Sequence, residues 1–168
     1  AGFDPDAYVG YDQGWYDGSI RAMDVEIGRL IERLRALGLE QDTLFVFLSD
    51  HGEEFLEHGR MFHGQTVYGE LTQTPLIVRW PAGLPKGRVV DDVVQTIDVF
   101  PTVLELNGIA PPAGVQGQSL TPLLTGQGQW KKRPAVSDKA NTSNPGAPPP
   151  LDTESYAIVD GDWKLIHN

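Results

Sequence analysis

An α/β fold is what the sequence predicts, with helices covering the faces of a sheet. Three observations carry that expectation. A helical repeat over residues 20–37 leads through a short link into a continuous apolar segment, "LFVFL" at 44–48. A second such segment, "PLIVRW", follows at 75–80. A helix feeding a strand that is apolar on both sides is the pattern of a sheet buried between helices.

Residues 1–16, rich in Gly, Asp and aromatics, read as an irregular approach segment. In the helical repeat, Ile20, Met23, Ile27, Leu30, Ile31, Leu34 and Leu37 recur at steps of three and four. Arg21, Glu26, Arg29, Glu32, Arg33 and Arg35 fall largely between them, on the outer face. Gly38 sits where a left-handed residue ends a helix. Residues 40–43 link into the first strand, and 75–80 form the second, stopped by Pro81. Residues 89–94 are a candidate third, short strand. "DVFPTVLELNG" at 98–108 reads as a helix with Asp98 near its start, Pro101 in its first turn and Gly108 as its stop. "SLTPLLTG" at 119–126 is a helical turn. Residues 137–150, rich in Pro, Ser and Asn, read as a loop. "YAIVDGDWKLIHN" at 156–168 is a hairpin turning at Asp160-Gly161-Asp162, and a hairpin without neighbours is marginal in water. There is no internal repeat. The expected organisation is residues 1–136 as one α/β unit, 137–150 as a loop, and 151–168 as the start of a small antiparallel β subdomain.

The bulk properties narrow the partners. At 168 residues and 40% hydrophobic content the chain is long and apolar enough for a real core. A net charge of −10 repels nucleic acid and anionic membranes, so neither is an expected partner. No apolar run reaches membrane-spanning length. With no cysteine there is no disulfide, thiolate nucleophile or zinc–thiolate site. The chain begins with Ala rather than Met, so a processed or truncated start is expected.

The densest chemistry lies in "SDHGEEFLEHGRMFHG", residues 49–64, directly after the first strand. In open α/β sheets ligands bind beyond the carboxyl ends of strands. Asp50 and His51 point apart within a strand but can converge at its end, where Gly52 permits a sharp turn. A carboxylate and an imidazole brought together there form half of a divalent-metal site. Spacing alone leaves that reading and a polar loop with a hydrogen-bonded histidine both open. His58 and His63, each followed by Gly, extend the pattern. A histidine beside a metal-bound anion can donate a hydrogen bond or protonate a leaving group. Glu53, Glu54 and Glu57 read as solvated or capping charges, and Glu70 as a residue able to orient a neighbouring loop.

An ordered series of segments carries a resemblance. "YDGSIRAMDVEIGRLIERLRALGLEQDTLFVFLSDHGEEFLEHG", then "PLIVRWPAG", "VVQTIDVFPTVLELNGI", "GQSLTPLLTG" and the terminal "DGDWKLIHN" together resemble the sulfatases of the alkaline phosphatase superfamily. The match runs from about Tyr16 to Gly126 and resumes near Tyr156. It implies a partial alkaline phosphatase-like α/β sandwich, from the C-terminal portion of a metal-dependent sulfatase. Such an enzyme hydrolyses sulfate esters through a formylglycine nucleophile made from Cys or Ser in a C/S-x-P-x-R motif. By resemblance Asp50 and His51 are metal ligands, and His63 is the anion contact and general acid. His58 is left to a supporting or structural role. The implied cofactor is one divalent ion, calcium by family. Many sulfatases have Asn after this Asp, and His51 instead suits manganese or zinc.

Half of such an active site is missing from the pattern. Asp91-Asp92 stands out of order for the family's first metal pair and reads as surface charge. Ser143 begins the nucleophile motif, but Ala147 stands where Arg is required; Ser119 has Thr121 in place of Pro. The nucleophile is therefore expected outside this chain, and the chain alone is expected to be inactive. The implied partner is a small-molecule or carbohydrate sulfate ester, in the periplasm or secreted. Two alternatives accompany this reading: a phosphoesterase or phosphonate monoester hydrolase of the same superfamily, and a non-catalytic binding protein on the same scaffold.

Overall fold

The computed structural model describes residues 5–139 and 155–167, with the side chains of residues 5–8 excepted. It opens with α1 (Pro5–Ala36), twelve residues earlier than 1–16 were expected to yield. Gly10 and Gly14 belong to the stretch read as irregular, but they lie in open space on the helix and cost only propensity. The expected stop holds. Gly38 has φ +72°, and bonds from Gly38 N to Arg35 O (3.0 Å) and Leu39 N to Leu34 O (2.9 Å) close a Schellman cap. Arg35 reaches on to Glu40 with two bonds of 2.8 and 2.9 Å, and Arg79 binds the same carboxylate. This cluster ties the end of α1 to the second strand of the sheet.

That sheet pairs β1 (Phe45–Leu48) antiparallel with β4 (Leu76–Arg79), Phe45 opposite Arg79 and Leu48 opposite Leu76. β1 is not buried on both faces as "LFVFL" suggested: Phe45, Val46 and Phe47 are half-buried and Leu48 is exposed. Continuous hydrophobicity marks what a strand is built to bury, and the covering layers are not among the described residues. Between the two strands lie a small hairpin, β2 (Glu54–Phe55) with β3 (Met61–Phe62), and the four-residue helix α2 (Gly69–Thr72). Tyr16 of α1 packs edge-on against Phe55 of β2, with ring centroids 5.4 Å apart.

Residues 89–94 form no strand; they run as an extended connection into a 3₁₀ turn at Thr96–Asp98 and α3 (Val99–Leu106). β-branched residues favour extended backbone, but a strand also needs a ladder partner, and among the described residues this segment has none. Asp98 is fully buried at the head of α3. It accepts from the backbone of Gln95 (2.9 Å) and Gln118 (2.8 Å) and from the guanidinium of Arg133. α4 (Thr121–Thr125) is the expected short turn, ending at Gly126 in the left-handed region. Ser119 Oγ lies 2.9 Å from Thr121 Oγ1 at its start.

The C-terminal hairpin forms as β6 (Ser155–Asp160) and β7 (Trp163–His167) and gains the neighbour it needs. β5 (Ala135–Lys139) pairs with β6 to complete a three-stranded antiparallel sheet. Residues 137–139, assigned by composition to the loop, are therefore strand; the rest of that expected loop, 140–150, lies outside the described residues. Among the described residues no helix is long and apolar enough to cross a membrane.

Candidate functional site

The site loop begins where β1 ends. Gly52 makes the turn possible by proximity rather than by backbone dihedral: a Cβ there would collide with the carbonyl of Glu70. Gly52 N donates to Leu71 O at 2.9 Å, so the turn is laced to α2. Beneath it Glu54, Val67 and Leu71 are buried. This small core fixes the loop while leaving its histidines on the surface.

Asp50 and His51 come together as the sequence suggested. Asp50 Oδ1 accepts from His51 N at 3.0 Å, and Asp50 Oδ2 lies 3.8 Å from His51 Nε2. His51 Nδ1 is 2.8 Å from the Gly52 carbonyl oxygen. A carbonyl can only accept, so Nδ1 carries the hydrogen, and in the neutral ring the lone pair is then at Nε2, on the side of Asp50. Metal-bound histidines are held in this way, by a fixed bond at the other ring nitrogen. Asp50 is 89% exposed, and beyond the bond from His51 N its carboxylate keeps acceptor positions open to solvent.

His63 joins the pair. Its ring stacks on that of His51, centroids 4.5 Å apart. Its Nδ1 donates to Glu53, at 3.1 Å to Oε2 and 3.3 Å to Oε1, leaving Nε2 available. Phe62, immediately before it, holds φ +71°, and Leu56 at the other end of the hairpin does the same. Such left-handed residues cost about 1–3 kcal/mol each and concentrate at functional sites. His58 turns away from the trio. It stacks on Tyr68, centroids 3.8 Å apart and rings 7° from parallel, and donates to the Glu70 carboxylate. Burial pushes the Glu70 carboxyl up. Hydrogen bonds from its own backbone and His58, with the charges of His58 and Lys164, outweigh that and hold it below its usual range.

A broad open cleft of about 1600 Å³ is lined by Asp50, His51 and His63, and also by Arg88, Arg133 and Lys164. All three cations are already engaged, Arg88 with the Leu123 carbonyl, Arg133 with Asp98 and Lys164 with the Thr72 hydroxyl. Asp92 is partly buried beside Lys132 at 3.2 Å. Among the described residues no three His, Asp or Glu side chains converge as a set able to hold a metal alone. Asp50 and His51 bring together a carboxylate and an imidazole, donor types that suit a divalent ion.

The sequence reading missed the acidic residues. Glu53, taken as a solvated charge, orients His63. Glu54, taken likewise, is fully buried and accepts from Thr66 Oγ1 at 3.0 Å. Neither Glu shows a periodic or spacing signal; only the hairpin brings Glu53 to a histidine ten positions away. Lys164, from the far end of the chain, carried no local signal either.

The sulfatase family profile matches residues 12–109, more than half of the chain and the whole of this loop. The chain belongs to the sulfatase family. It is 34% identical over 154 residues to an N-acetylglucosamine-6-O-sulfatase of Bacteroides thetaiotaomicron, covering 90% of this chain and 27% of that protein. The phosphonate monoester hydrolase SpPMH from Silicibacter pomeroyi superposes with a TM-score of 0.74 at 34% identity, over 86% of this chain and 30% of its own. The structure of BT4656 in complex with its substrate D-glucosamine-2-N,6-O-disulfate superposes with a TM-score of 0.75 at 31% identity, over 88% of this chain and 30% of its own. The fold is thus a portion of the alkaline phosphatase-like α/β sandwich, and the chain spans under a third of the length of these relatives.

Proposed function

We propose that the protein containing this chain is a sulfuric ester hydrolase, in which Asp50 and His51 supply two ligands of one divalent metal and His63 contacts the sulfate. The observation that carries the reading is the Asp50–His51 pair at the end of β1, with Nε2 of His51 left bare by the Nδ1–Gly52 bond. The metal would be calcium by family, or manganese or zinc given the imidazole donor. When bound it polarises sulfate oxygens and draws charge from the reacting centre. His63, fixed by Glu53 through Nδ1, would as the imidazolium carry a second hydrogen on Nε2, able to bond the anion and pass to the leaving oxygen. The nucleophile, a formylglycine, would lie outside this chain. The substrate class is a carbohydrate or other small-molecule sulfate ester, and the compartment periplasmic or extracellular.

One observation favours a second reading. The Asp-His pair and the 34% identity to SpPMH fit a phosphonate monoester hydrolase of the same architecture. Assaying the full natural protein against 4-nitrophenyl sulfate and an aryl phosphonate monoester, with peptide masses read for formylglycine, separates them. Faster sulfate ester turnover with a formylglycine peptide supports the first reading. Preference for the phosphonate supports the second. No hydrolysis of either, with a correctly folded protein, defeats both.

A further inference from the structure

α2 stands between the candidate metal turn and the C-terminal sheet and touches both. On one side, Leu71 O accepts from Gly52 N at 2.9 Å and the Glu70 carbonyl leaves no room for a Cβ at Gly52. On the other, Lys164 Nζ of β7 donates to Thr72 Oγ1 at 2.7 Å, across 92 residues of sequence. That hydroxyl in turn donates to Tyr68 O at 3.0 Å, closing the last turn of the short helix. Glu70, within the same helix, holds His58.

Lys164 is an odd choice for its position. Along β7 Trp163 and Leu165 face outward and are strongly exposed, while Lys164 and Ile166 share the half-buried face with Ala157 and Val159. An ammonium on such a face costs desolvation, and an aliphatic residue would pack there without it. Burial pulls the Lys164 ammonium down from its usual value, and Glu70 opposes that pull. The lysine therefore does something that packing alone would not require.

We propose that Lys164 is a positioning residue: from the C-terminal sheet it fixes α2, and through α2 it holds the Gly52 turn that presents Asp50 and His51. The geometry of the metal half-site then depends on docking of the C-terminal sheet, through a contiguous chain of bonds rather than through distance alone. This rests on the reading of Asp50 and His51 as metal ligands.

The test uses the complete natural protein and two readouts. Hydrogen–deuterium exchange at the Gly52 amide reports the turn without any metal, and titration with Mn²⁺ or Ca²⁺ reports the half-site. K164M and T72V should exchange at Gly52 at least about fivefold faster than wild type, and K164R should stay near wild type. Metal affinity should weaken about tenfold in K164M and T72V, the range seen when a residue supporting a ligand is lost. An unchanged Gly52 rate in both variants overturns the proposal. Should K164M fail to fold, T72V decides, with T72S as the control that restores the hydroxyl. If the Gly52 rate rises but D50A and H51A leave metal affinity intact, the metal assignment fails and the mechanical link stands.

Discussion

The site loop and α1 come from neighbouring stretches of the same chain, yet they are packed in opposite ways. Between residues 49 and 72 the loop buries Glu54, Val67 and Leu71, laces Gly52 to Leu71, and seats three histidines on acidic partners or on one another. α1 presents Ile20, Met23 and Leu30 of its repeating apolar positions, and Trp15 besides, to solvent. The difference lies in sequence separation. Most of the loop's hydrogen bonds close within about twenty residues, with Tyr16 on Phe55 and Lys164 on Thr72 as its long-range contacts, whereas the layers that α1 is patterned to meet are not among the described residues. Local packing can therefore form where the surrounding fold is partial, and the two regions should respond differently to substitution.

The largest effect is expected at His63. H63A in the full natural protein should lower kcat for an aryl sulfate by about 10²–10⁴-fold, the usual worth of a positioned acid, with an unchanged melting temperature. E53Q should fall between, because it keeps a hydrogen-bond acceptor while losing the charge that orients the ring. Steady-state kinetics on both variants checks this.

Next comes G52A, which forces a methyl into the Glu70 carbonyl. Overpacking of this kind costs about 1–3 kcal/mol, readable by chemical denaturation, and a neutral G52A would show that the loop is not clamped as described.

A smaller effect concerns the cluster that anchors α1. The Arg35 hydrogen bond, opposed by burial and reinforced by Arg79, holds the Glu40 carboxyl down to about 2. A depressed carboxyl contributes stability above its unfolded value and loses it as pH falls toward the folded one. The contribution should be full above the ordinary value of 4.5 and fade between there and about 2. E40Q should flatten the stability profile in that window and leave its shape above it unchanged.

The smallest effect is expected on the exposed face of α1. L30Q in this isolated chain should change stability by less than about 0.5 kcal/mol, as for other surface positions. The same change in the full protein should cost several-fold more if the face is covered there. Equal effects in both would remove the contrast between the two regions.

What was legible in the sequence follows the same division. The helical repeat ending at Gly38, the helix from Asp98 to Gly108 and the hairpin around Gly161 are local signals, and each produced its element. So did Asp50 and His51, which needed only a strand end and a glycine to meet. Residues 89–94 misled because strand propensity does not supply a partner. β5 was missed because Ser137, Asp138 and Lys139 look like loop and become strand only through pairing with β6. Glu53, Glu54 and Lys164 were invisible for the same reason: their roles are set by residues 10, 12 and 92 positions away.

The most direct test is the metal content of the full natural protein and of its D50A and H51A variants, measured by elemental analysis after gel filtration. The account predicts close to one divalent ion per folded wild-type chain and loss of it from both variants, with their melting temperatures retained. Equal metal in wild type and variants would contradict the assignment of Asp50 and His51 and leave the loop's histidines as a polar surface held together by its acidic residues.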